Sequence, residues 1–190
     1  MGDPKKARKK YSRPRSPWRA DQLAQELYLL GNFGLRNKRE LWKAETQLSS
    51  MRKQARTLLA ATERVRLREE KKLLDSLRRK GLVAEGASLD DILSLTVEDV
   101  LARRLQTMVF KKGMAISPLH ARQLIVHGHV VVGGRTIKIP GYGITRTEEP
   151  DIKLVGIGEP KSPEGEPTQP PVEPAPEPAQ AAPAEPAPPK

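Results

Sequence analysis

Residues 117–139, SPLHARQLIVHGHVVVGGRTIKI, decide the fold of the region around them. Their first half predicts a short helix, because Ser117 is suited to cap its N-terminus, the proline that follows suits the first helical position, and Gly128 is suited to end it. Their second half predicts a β-hairpin of residues 130–132 and 135–139, because the Gly-Gly pair between these strands can adopt the positive φ angles of a two-residue turn.

This helix and hairpin combine an apolar body with polar side chains. Leu119, Leu124 and Ile125 recur at helical spacing and predict a buried helix face. Histidine, arginine and glutamine side chains project from the same unit, and no Asp or Glu occurs between Lys111 and Thr147. The stretch therefore carries many hydrogen-bond donors and no carboxylate.

The composition favours a polyanionic partner. The chain has 190 residues, a formal net charge of +11 and 4% aromatic residues, which favours nucleic acid first and an anionic membrane surface second. It has no cysteine, so disulfides and thiolate metal sites are excluded. There is no signal-peptide pattern and no apolar run of the ~20 residues that span a bilayer, so we expect a soluble, intracellular protein.

The charge is distributed unevenly along the chain. The net charge is +7 in residues 1–19, +2 in residues 20–102, +6 in residues 103–158 and −4 in residues 159–190. Two basic blocks therefore flank a nearly balanced middle. Twelve prolines fall in the last 32 residues among Ala and Glu, a composition that cannot build a core and predicts a disordered acidic tail.

These shifts predict four segments: a basic arm (1–17), a helical domain (18–100), a second domain (101–158) and the Pro/Ala/Glu-rich tail (159–190). The arm is either a solvated, disordered terminus or a segment that becomes ordered along phosphates, and its net charge favours the second interpretation. Its candidate contacts are Lys5, Lys6, Arg8, Lys9 and Lys10.

The helical domain is predicted from three apolar patterns. A helix over about residues 20–30 has one face of Leu23, Leu27 and Leu30. A longer helix over residues 40–59 and a charged helix over residues 63–80 carry two further apolar sets: Leu41, Leu48, Ala55 and Leu59, then Leu67, Leu73, Leu74 and Leu77. A coiled coil across residues 40–80 is the alternative, but the heptads are not strict.

The start of the second helix is a further candidate anion site. Arg36, Lys38 and Arg39 place three cations at a helix entrance, where backbone N–H groups also attract phosphate. A solvated turn is the competing interpretation, and the sequence does not choose between them.

Helix-capping signals mark the junction between the two domains. Ser88 with Asp91, and Thr96 with Asp99, resemble capping boxes in which Asp replaces Glu. From Val97 onward, apolar positions form one continuous face and predict a single amphipathic helix that ends at Gly113, with Phe110 packed against the core. A last short strand is predicted over residues 152–155.

The sequence offers no catalytic constellation. His120, His127 and His129 lie close in sequence, but zinc spacing is absent and RNA contact or local capping explains them better than a metal. Ser117 lies near a histidine, but a helix cap explains it without a nucleophile, which would need an oriented base and an oxyanion hole. The glycines form neither a Walker nor a dinucleotide motif. We therefore expect no enzyme and no cofactor.

RNA is favoured over DNA on physical grounds. No segment presents an obvious recognition helix for a major groove. The cations are spread over an arm and two domains, which suits a folded RNA whose phosphates are contacted on several helices at once.

Two stretches carry a family resemblance. Residues 117–139, with RRLQTMVFKKGMAIS (103–117) before them, resemble the S-four RNA-binding domain. Residues 15–60, RSPWRADQLAQELYLLGNFGLRNKRELWKAETQLSSMRKQARTLLA, are similar to the N-terminal region of the small-subunit ribosomal protein S-four family in its archaeal and eukaryotic form. The resemblance covers roughly the first 155 residues.

The resemblance implies an α+β fold, with a helical N-terminal domain and a second domain of two helices on a small twisted antiparallel sheet. It also implies a concave RNA-binding face. By position, that face comprises Arg103, Arg104, Lys111, Lys112, Ser117, His120, Arg122, Gln123, His127, His129 and Arg135.

The resemblance further implies a structural, non-enzymatic role in the small ribosomal subunit, in the cytoplasm. Family members bind a helix junction in the 5′ domain of small-subunit ribosomal RNA, nucleate assembly, contact ribosomal protein S-five, lie near the path by which messenger RNA enters, and contribute to decoding accuracy. Some carry N-terminal cysteines that bind a metal, which this sequence lacks, and the acidic tail also departs from the family pattern.

Two other classes of function remain open at this stage. One is a non-catalytic subunit of an RNA-modifying enzyme, because the same RNA-binding domain occurs in such enzymes and the catalytic domain would then lie on another chain. The other is a membrane-surface protein that uses the basic arm. Co-purification with intact small subunits, or failure to bind anionic vesicles, would discriminate between these possibilities.

Overall fold

The computed structural model describes residues 9–156, so the predictions for Lys5, Lys6, Arg8 and the tail (159–190) lie outside the described residues. The described chain forms seven helices and three strands: α1 (Ala20–Asn32), α2 (Lys38–Leu59), α3 (Glu63–Arg79), α4 (Leu89–Ser94), α5 (Val97–Ala102), α6 (Leu105–Lys111), α7 (Pro118–His127), β1 (Val130–Val132), β2 (Arg135–Thr136) and β3 (Ile152–Leu154). This confirms the predicted α+β fold class.

One hydrophobic core is built on α2. Leu41, Ala44, Leu48, Met51 and Ala55 recur at helical spacing along its buried face. The same core, called the first core below, takes further side chains from α3, α4 and α5 and from the loop before α4. Helix α2 ends at Leu59 and α3 begins at Glu63, so the chain forms two helices there and not one long coiled coil.

Three leucines predicted to be buried in these helices are exposed. Leu27, Leu59 and Leu67 are 62%, 37% and 57% exposed. The predicted stripes were wrong at these positions because each helix packs on one side only. Leu29 and Leu30 of α1 are the leucines that contact the first core, and Leu58 replaces Leu59 in α2.

The single helix predicted from Val97 to Gly113 is wrong, because the chain breaks into α5 and α6 at Arg103 and Arg104. Arg104 is extended, with ψ 146°, and forms an isolated antiparallel β-bridge with Gly143. The Leu105 N–H donates to the Tyr142 carbonyl at 2.8 Å. The loop over residues 139–144 therefore supplies hydrogen bonds that a continuous helix would have made internally.

A second core joins α6, α7 and the sheet. Ala121, Leu124 and Ile125 of α7 are buried in it together with Val130 and Val132 of β1. Leu119 is 63% exposed, so its predicted burial was wrong, and Phe110 is 38% exposed. Helix α7 contributes one face to this core, and Leu119 lies on the opposite face.

The sheet is antiparallel with strand order β2-β1-β3. The Gly-Gly turn is confirmed, with φ angles of 55° and 78°. Strand β2 ends at Thr136 and not at residue 139, so the predicted strand was too long. The Ile137 N–H still donates to the Val130 carbonyl, but the chain then turns at Pro140 toward α6. Proline lacks the N–H that a longer ladder needs.

The helix caps predicted from the sequence are confirmed. Both capping boxes form, at Ser88–Asp91 and at Thr96–Asp99. The Ser117 hydroxyl accepts from the His120 N–H at 3.1 Å, and Gly128 ends α7 with φ 85°. None of the helices in residues 9–156 combines the length and the apolar character needed to cross a membrane.

Candidate nucleic-acid interface

The predicted RNA-binding face divides into cations that are held inside the protein and side chains that face solvent. Arg104 and Arg122 belong to the first group. Both guanidinium groups donate to the Glu40 carboxylate at the start of α2, each at 2.7 Å, and all three side chains are at most 20% exposed. This triad connects α2 with α6 and α7.

The triad determines the ionisation of Glu40. Burial opposes the charged form, but the hydrogen bonds from Arg122 and Arg104 and their positive charges outweigh it and hold the pKa of Glu40 below its usual range. The carboxylate is therefore charged at neutral pH, and it neutralises part of the positive charge on two residues of the predicted face.

A buried amide extends the same junction. Gln106 is 1% exposed, and its Nε2 donates to the Gly34 carbonyl at 2.8 Å and to the Pro118 carbonyl at 2.9 Å. The Arg122 guanidinium lies 3.4 Å from the Gln106 Oε1. The sequence prediction missed Gln106 and Glu40, because their partners lie up to 82 residues away.

Arg103 and Lys112 are engaged by Glu149. The Arg103 Nη1 pairs with the Glu149 carboxylate at 2.9 Å, and its Nε donates to the Lys80 carbonyl at 3.0 Å. The Lys112 ammonium donates to the Glu149 backbone carbonyl but remains exposed. Arg103 therefore ties the start of α6 to the end of α3 and to the loop before β3.

Ser117 and two of the histidines serve local structure. Ser117 caps α7, and the His120 Nδ1 accepts from the Ile116 N–H at 3.3 Å. The His129 Nδ1 lies 3.3 Å from the Val155 carbonyl, and its ring centroid is 6.4 Å from that of His127. Within residues 9–156, no three His, Asp or Glu side chains come together in an arrangement suited to a metal ion.

The side chains of the predicted face that are exposed to solvent come from α6, α7 and the hairpin: Lys111, Lys112, Gln123, His127 and Arg135. They belong to the stretch without Asp or Glu, so no carboxylate lies near them in sequence. An exposed set of cations and donors on a folded scaffold is the arrangement by which phosphate groups are contacted.

A second basic cluster surrounds the N-terminal segment. The Tyr11 ring stacks on Trp42 with centroids 6.1 Å apart, and the cations of Lys9 and Arg39 lie 4.8 Å and 5.7 Å from the Tyr11 ring centroid. The Ser12 N–H donates to the Thr46 hydroxyl at 2.9 Å. The end of the predicted arm is therefore attached to α2, a contact that the charge pattern did not indicate.

The N-terminus of α2, where Arg36, Lys38 and Arg39 lie, is capped by Asn37, which the sequence analysis did not predict. The Asn37 side chain accepts from the Glu40 N–H at 3.2 Å. Lys38 pairs with the buried Glu26 at 2.9 Å, whereas Arg36 and Arg39 are exposed, as are Lys9 and Lys10. Lys38 thus has a structural partner, and its two arginine neighbours face solvent.

The fold and the interface define a class of protein: helical proteins that carry a compact RNA-binding domain of the S-four type. Comparison with known families agrees with this class. The family model for the S4 domain matches residues 103–149, and the family model described as "Ribosomal protein S4/S9 N-terminal domain" matches residues 5–102.

Comparison with individual proteins narrows the class. The chain is 53% identical to "Small ribosomal subunit protein uS4" of Ignicoccus hospitalis over 163 residues, covering 86% of this chain and 96% of that protein. The protein of the same name from Hyperthermus butylicus is 54% identical over 149 residues (78% and 85% covered), and that from Cenarchaeum symbiosum 53% over 156 residues (82% and 76%). The chain belongs to the uS4 family of ribosomal proteins, a family of structural proteins and not of enzymes.

Proposed function

We propose that this protein is a structural constituent of the small ribosomal subunit that binds small-subunit ribosomal RNA. The observation that carries the proposal is the exposed set of cations and donors on α6, α7 and the hairpin, in a stretch without Asp or Glu. Membership of the uS4 family supports it, and disfavours both the enzyme-subunit and the membrane-surface alternatives.

The proposed mechanism is electrostatic and geometric. The exposed cations on α6, α7 and the hairpin contact phosphates on one part of the RNA, and the second basic cluster around Tyr11 contacts phosphates on a different RNA helix. Both sets of contacts release counterions. The residues held inside the protein (Arg103, Arg104, Arg122 and Ser117) keep the scaffold of the first set rigid. Because the angles between the bound RNA helices become fixed, less conformational entropy remains to be lost in later assembly.

The proposal extends to finer points. The RNA site is a junction of several helices in the 5′ domain, and binding there nucleates assembly of the subunit in the cytoplasm. In the assembled subunit the protein contacts ribosomal protein S-five, lies near the path by which messenger RNA enters, and contributes to decoding accuracy. The division at residue 101 into a helical and an RNA-binding domain also stays a prediction.

Salt-titrated binding tests this function. The full chain is titrated against a 5′-domain fragment of small-subunit ribosomal RNA and against a scrambled RNA of equal length. We expect tight binding of the fragment, weak binding of the scrambled RNA and a steep decrease of affinity with salt. Equal affinity for both RNAs would show that the protein binds RNA without selectivity, as any polycation does, and would contradict the proposal.

A charge-matched pair of variants locates the interface. Lys111→Ala/Arg135→Ala removes two exposed cations from the proposed face, and Lys53→Ala/Lys71→Ala removes two exposed cations from α2 and α3. We expect about a tenfold loss of affinity for the first variant and a lower salt slope, with less than a threefold loss for the second. Equal losses would place the interface elsewhere.

A further inference from the structure

A cleft with a volume of about 440 Å³ opens between the first core and the second core. One wall is formed by α2 and the end of α3, and the other by the loop over residues 139–144 that pairs with Arg104. This volume lies within the range of about 300–1,000 Å³ that is typical of sites for small molecules.

The charge of the cleft is strongly positive. Its walls contain a single carboxylate, that of Glu40, and five cationic side chains: Lys43, Lys80, Arg103, Arg104 and Arg122. Glu40 is already paired with the last two, and Arg103 is paired with Glu149 outside the cleft walls. Lys43 and Lys80 are exposed, and within residues 9–156 neither forms a salt bridge with a carboxylate. The cleft therefore retains uncompensated charge that suits an anionic group.

Hydrogen-bond donors without partners lie in the same walls. The Arg104 side chain is only 11% exposed, and its Nη1 is buried without a hydrogen-bond partner among the described residues. The backbone N–H groups of Gly141 and Gly143 make no hydrogen bond within residues 9–156, and neither glycine carries a side chain that would shield them. Arginine and backbone N–H groups are common donors to phosphate oxygens.

The cleft also has an apolar wall, which an inorganic anion would not use. Leu82, Val100 and Ile144 line it from the two cores, and Ile139 and Pro140 line it from the loop. Ile139 is 65% exposed, so its side chain is accessible to a ligand in the cleft. A ligand that satisfies both walls carries a negative group and an apolar one, and a nucleotide, with its phosphate and its base, has this chemistry.

We propose that the cleft binds one unstacked nucleotide of the RNA, with its phosphate at Lys43 and Lys80 and its base against Ile139 and the apolar wall. This inference rests on the proposed function, because it names a subsite for the same RNA. Capture of an extruded base explains how a largely phosphate-directed surface gains selectivity for one RNA junction. A free 5′-nucleotide offers the same chemistry, so the experiment distinguishes the two sources.

The test uses the full chain and three variants. Lys43→Ala/Lys80→Ala removes the proposed phosphate contacts, and Lys53→Ala/Lys71→Ala is the matched control on the same two helices. Gly143→Leu places an uncharged side chain at the cleft wall, where an added Cβ meets no atom within 4 Å and φ is not positive. The readouts are Kd for the 5′-domain fragment, its salt dependence, and photocrosslinking of thiouridine-substituted RNA to residues 139–144.

We expect Lys43→Ala/Lys80→Ala to weaken binding about tenfold and to lower the salt slope by about 0.7, which corresponds to one single-strand phosphate contact. Gly143→Leu should weaken binding severalfold at an unchanged slope, and both variants should abolish the crosslink. Equal Kd values for the two lysine double variants, or a wild-type Kd for Gly143→Leu, would overturn the inference. The control double variant should retain the crosslink.

The second part of the test measures binding of a free nucleotide, adenosine 5′-monophosphate. We expect millimolar binding that shifts the amide resonances of Gly141 and Gly143 and is lost in Lys43→Ala/Lys80→Ala. If the free nucleotide binds tightly and the variants keep the wild-type affinity for RNA, the nucleotide that occupies the cleft does not come from the RNA, and the inference is overturned. The wild-type preference for the fragment over scrambled RNA is measured separately, so loss of the cleft subsite and loss of the ribosomal function give different results.

Discussion

Glu40 accepts a hydrogen bond from Arg122, 82 residues later in the chain, with the Arg122 Nη2 2.7 Å from the Glu40 Oε1. Glu40 lies in the first turn of α2, and Arg122 lies in the middle of α7. The pair therefore links the helix that carries the first core to a helix of the second core. Arg104 shares the same carboxylate, so one acidic residue fixes two cations of the predicted RNA-binding face.

Glu40→Gln should destabilise the protein by about 1–3 kcal/mol, because two partly buried guanidinium groups lose their counter-charge. The measurement is the free energy of unfolding in urea at pH 7. Glu63→Gln is the matched control, because Glu63 also lies in the first turn of its helix and the substitution removes the same helix-dipole contribution. Glu63 is exposed, however, and forms no ion pair within residues 9–156. Equal losses in the two variants would show that the triad adds nothing.

The stability difference between wild type and Glu40→Gln should depend on pH. Because the pKa of Glu40 is lowered in the folded state, its stabilisation is fully present above the unfolded pKa, about 4.3, and is lost as the pH falls through the folded pKa. Urea unfolding of both proteins from pH 7 to pH 3 checks this. A difference that stays constant down to pH 3 would show that charge is not the cause.

Glu45 should show the opposite sign. Burial, with the nearby charge of Glu26, raises the pKa of Glu45, so the stabilisation linked to its proton is present below the unfolded pKa and is lost as the pH rises through the folded pKa. Glu45→Gln should therefore be more stable than wild type at pH 7, by about 0.5 kcal/mol after solvent screening. The gain should disappear below about pH 4, and a gain that is equal at both pH values would contradict the assignment.

Gly34 should not tolerate a side chain. It has φ +56°, and an added Cβ would lie 2.8 Å from the Pro118 Cβ and 2.9 Å from the Gln106 Nε2. Gly34→Ala should cost about 2–4 kcal/mol through backbone strain and overlap. Gly31→Ala, three residues earlier in α1, meets no atom within 4 Å and should stabilise the helix by up to ~1 kcal/mol. Thermal unfolding of both variants tests the contrast, and equal melting temperatures would refute it.

The sequence predicted those parts of the fold that depend on local chemistry. Ser117 and Gly128 mark both ends of α7, and Thr96 with Asp99 marks the start of α5, because each cap is formed by residues at most four positions apart. The break at Arg104 was missed because its hydrogen bonds come from residues near Gly143. No local pattern contains that information.

The candidate site was predicted unevenly for the same reason. A run without Asp or Glu marked the exposed Lys111 and Arg135, because charge composition is a local property. It did not reveal that Arg104 and Arg122 are paired, because Glu40 lies 64 and 82 residues away. Helical periodicity likewise predicted an apolar stripe through Leu119. It did not indicate which side of α7 packs against the second core.

The N-terminal segment supplies the last prediction. Tyr11 stacks on Trp42 and lies beside the cations of Lys9 and Arg39. Burial opposes ionisation of the Tyr11 hydroxyl, but the nearby side chain of Arg13 and the charges of Arg39 and Lys9 outweigh it and lower the pKa of the hydroxyl. Tyr11→Leu removes the stacking and the cation–π contacts but keeps an apolar side chain. We expect the segment to detach from α2, because only the contact of Ser12 with Thr46 then remains among those described.

Limited trypsin digestion measures this detachment. Cleavage after Lys10 and Arg15 should become several times faster in Tyr11→Leu, since proteolysis follows the population of the open segment, whereas Arg13 precedes a proline and is a poor site. Tyr28→Leu is the matched control, because Tyr28 is 65% exposed on α1, and should cleave at the wild-type rate. If bound 5′-domain RNA protects both sites in the wild type but not in Tyr11→Leu, the attached segment is part of the RNA interface. Equal protection of both proteins would assign the Tyr11 stack to folding alone.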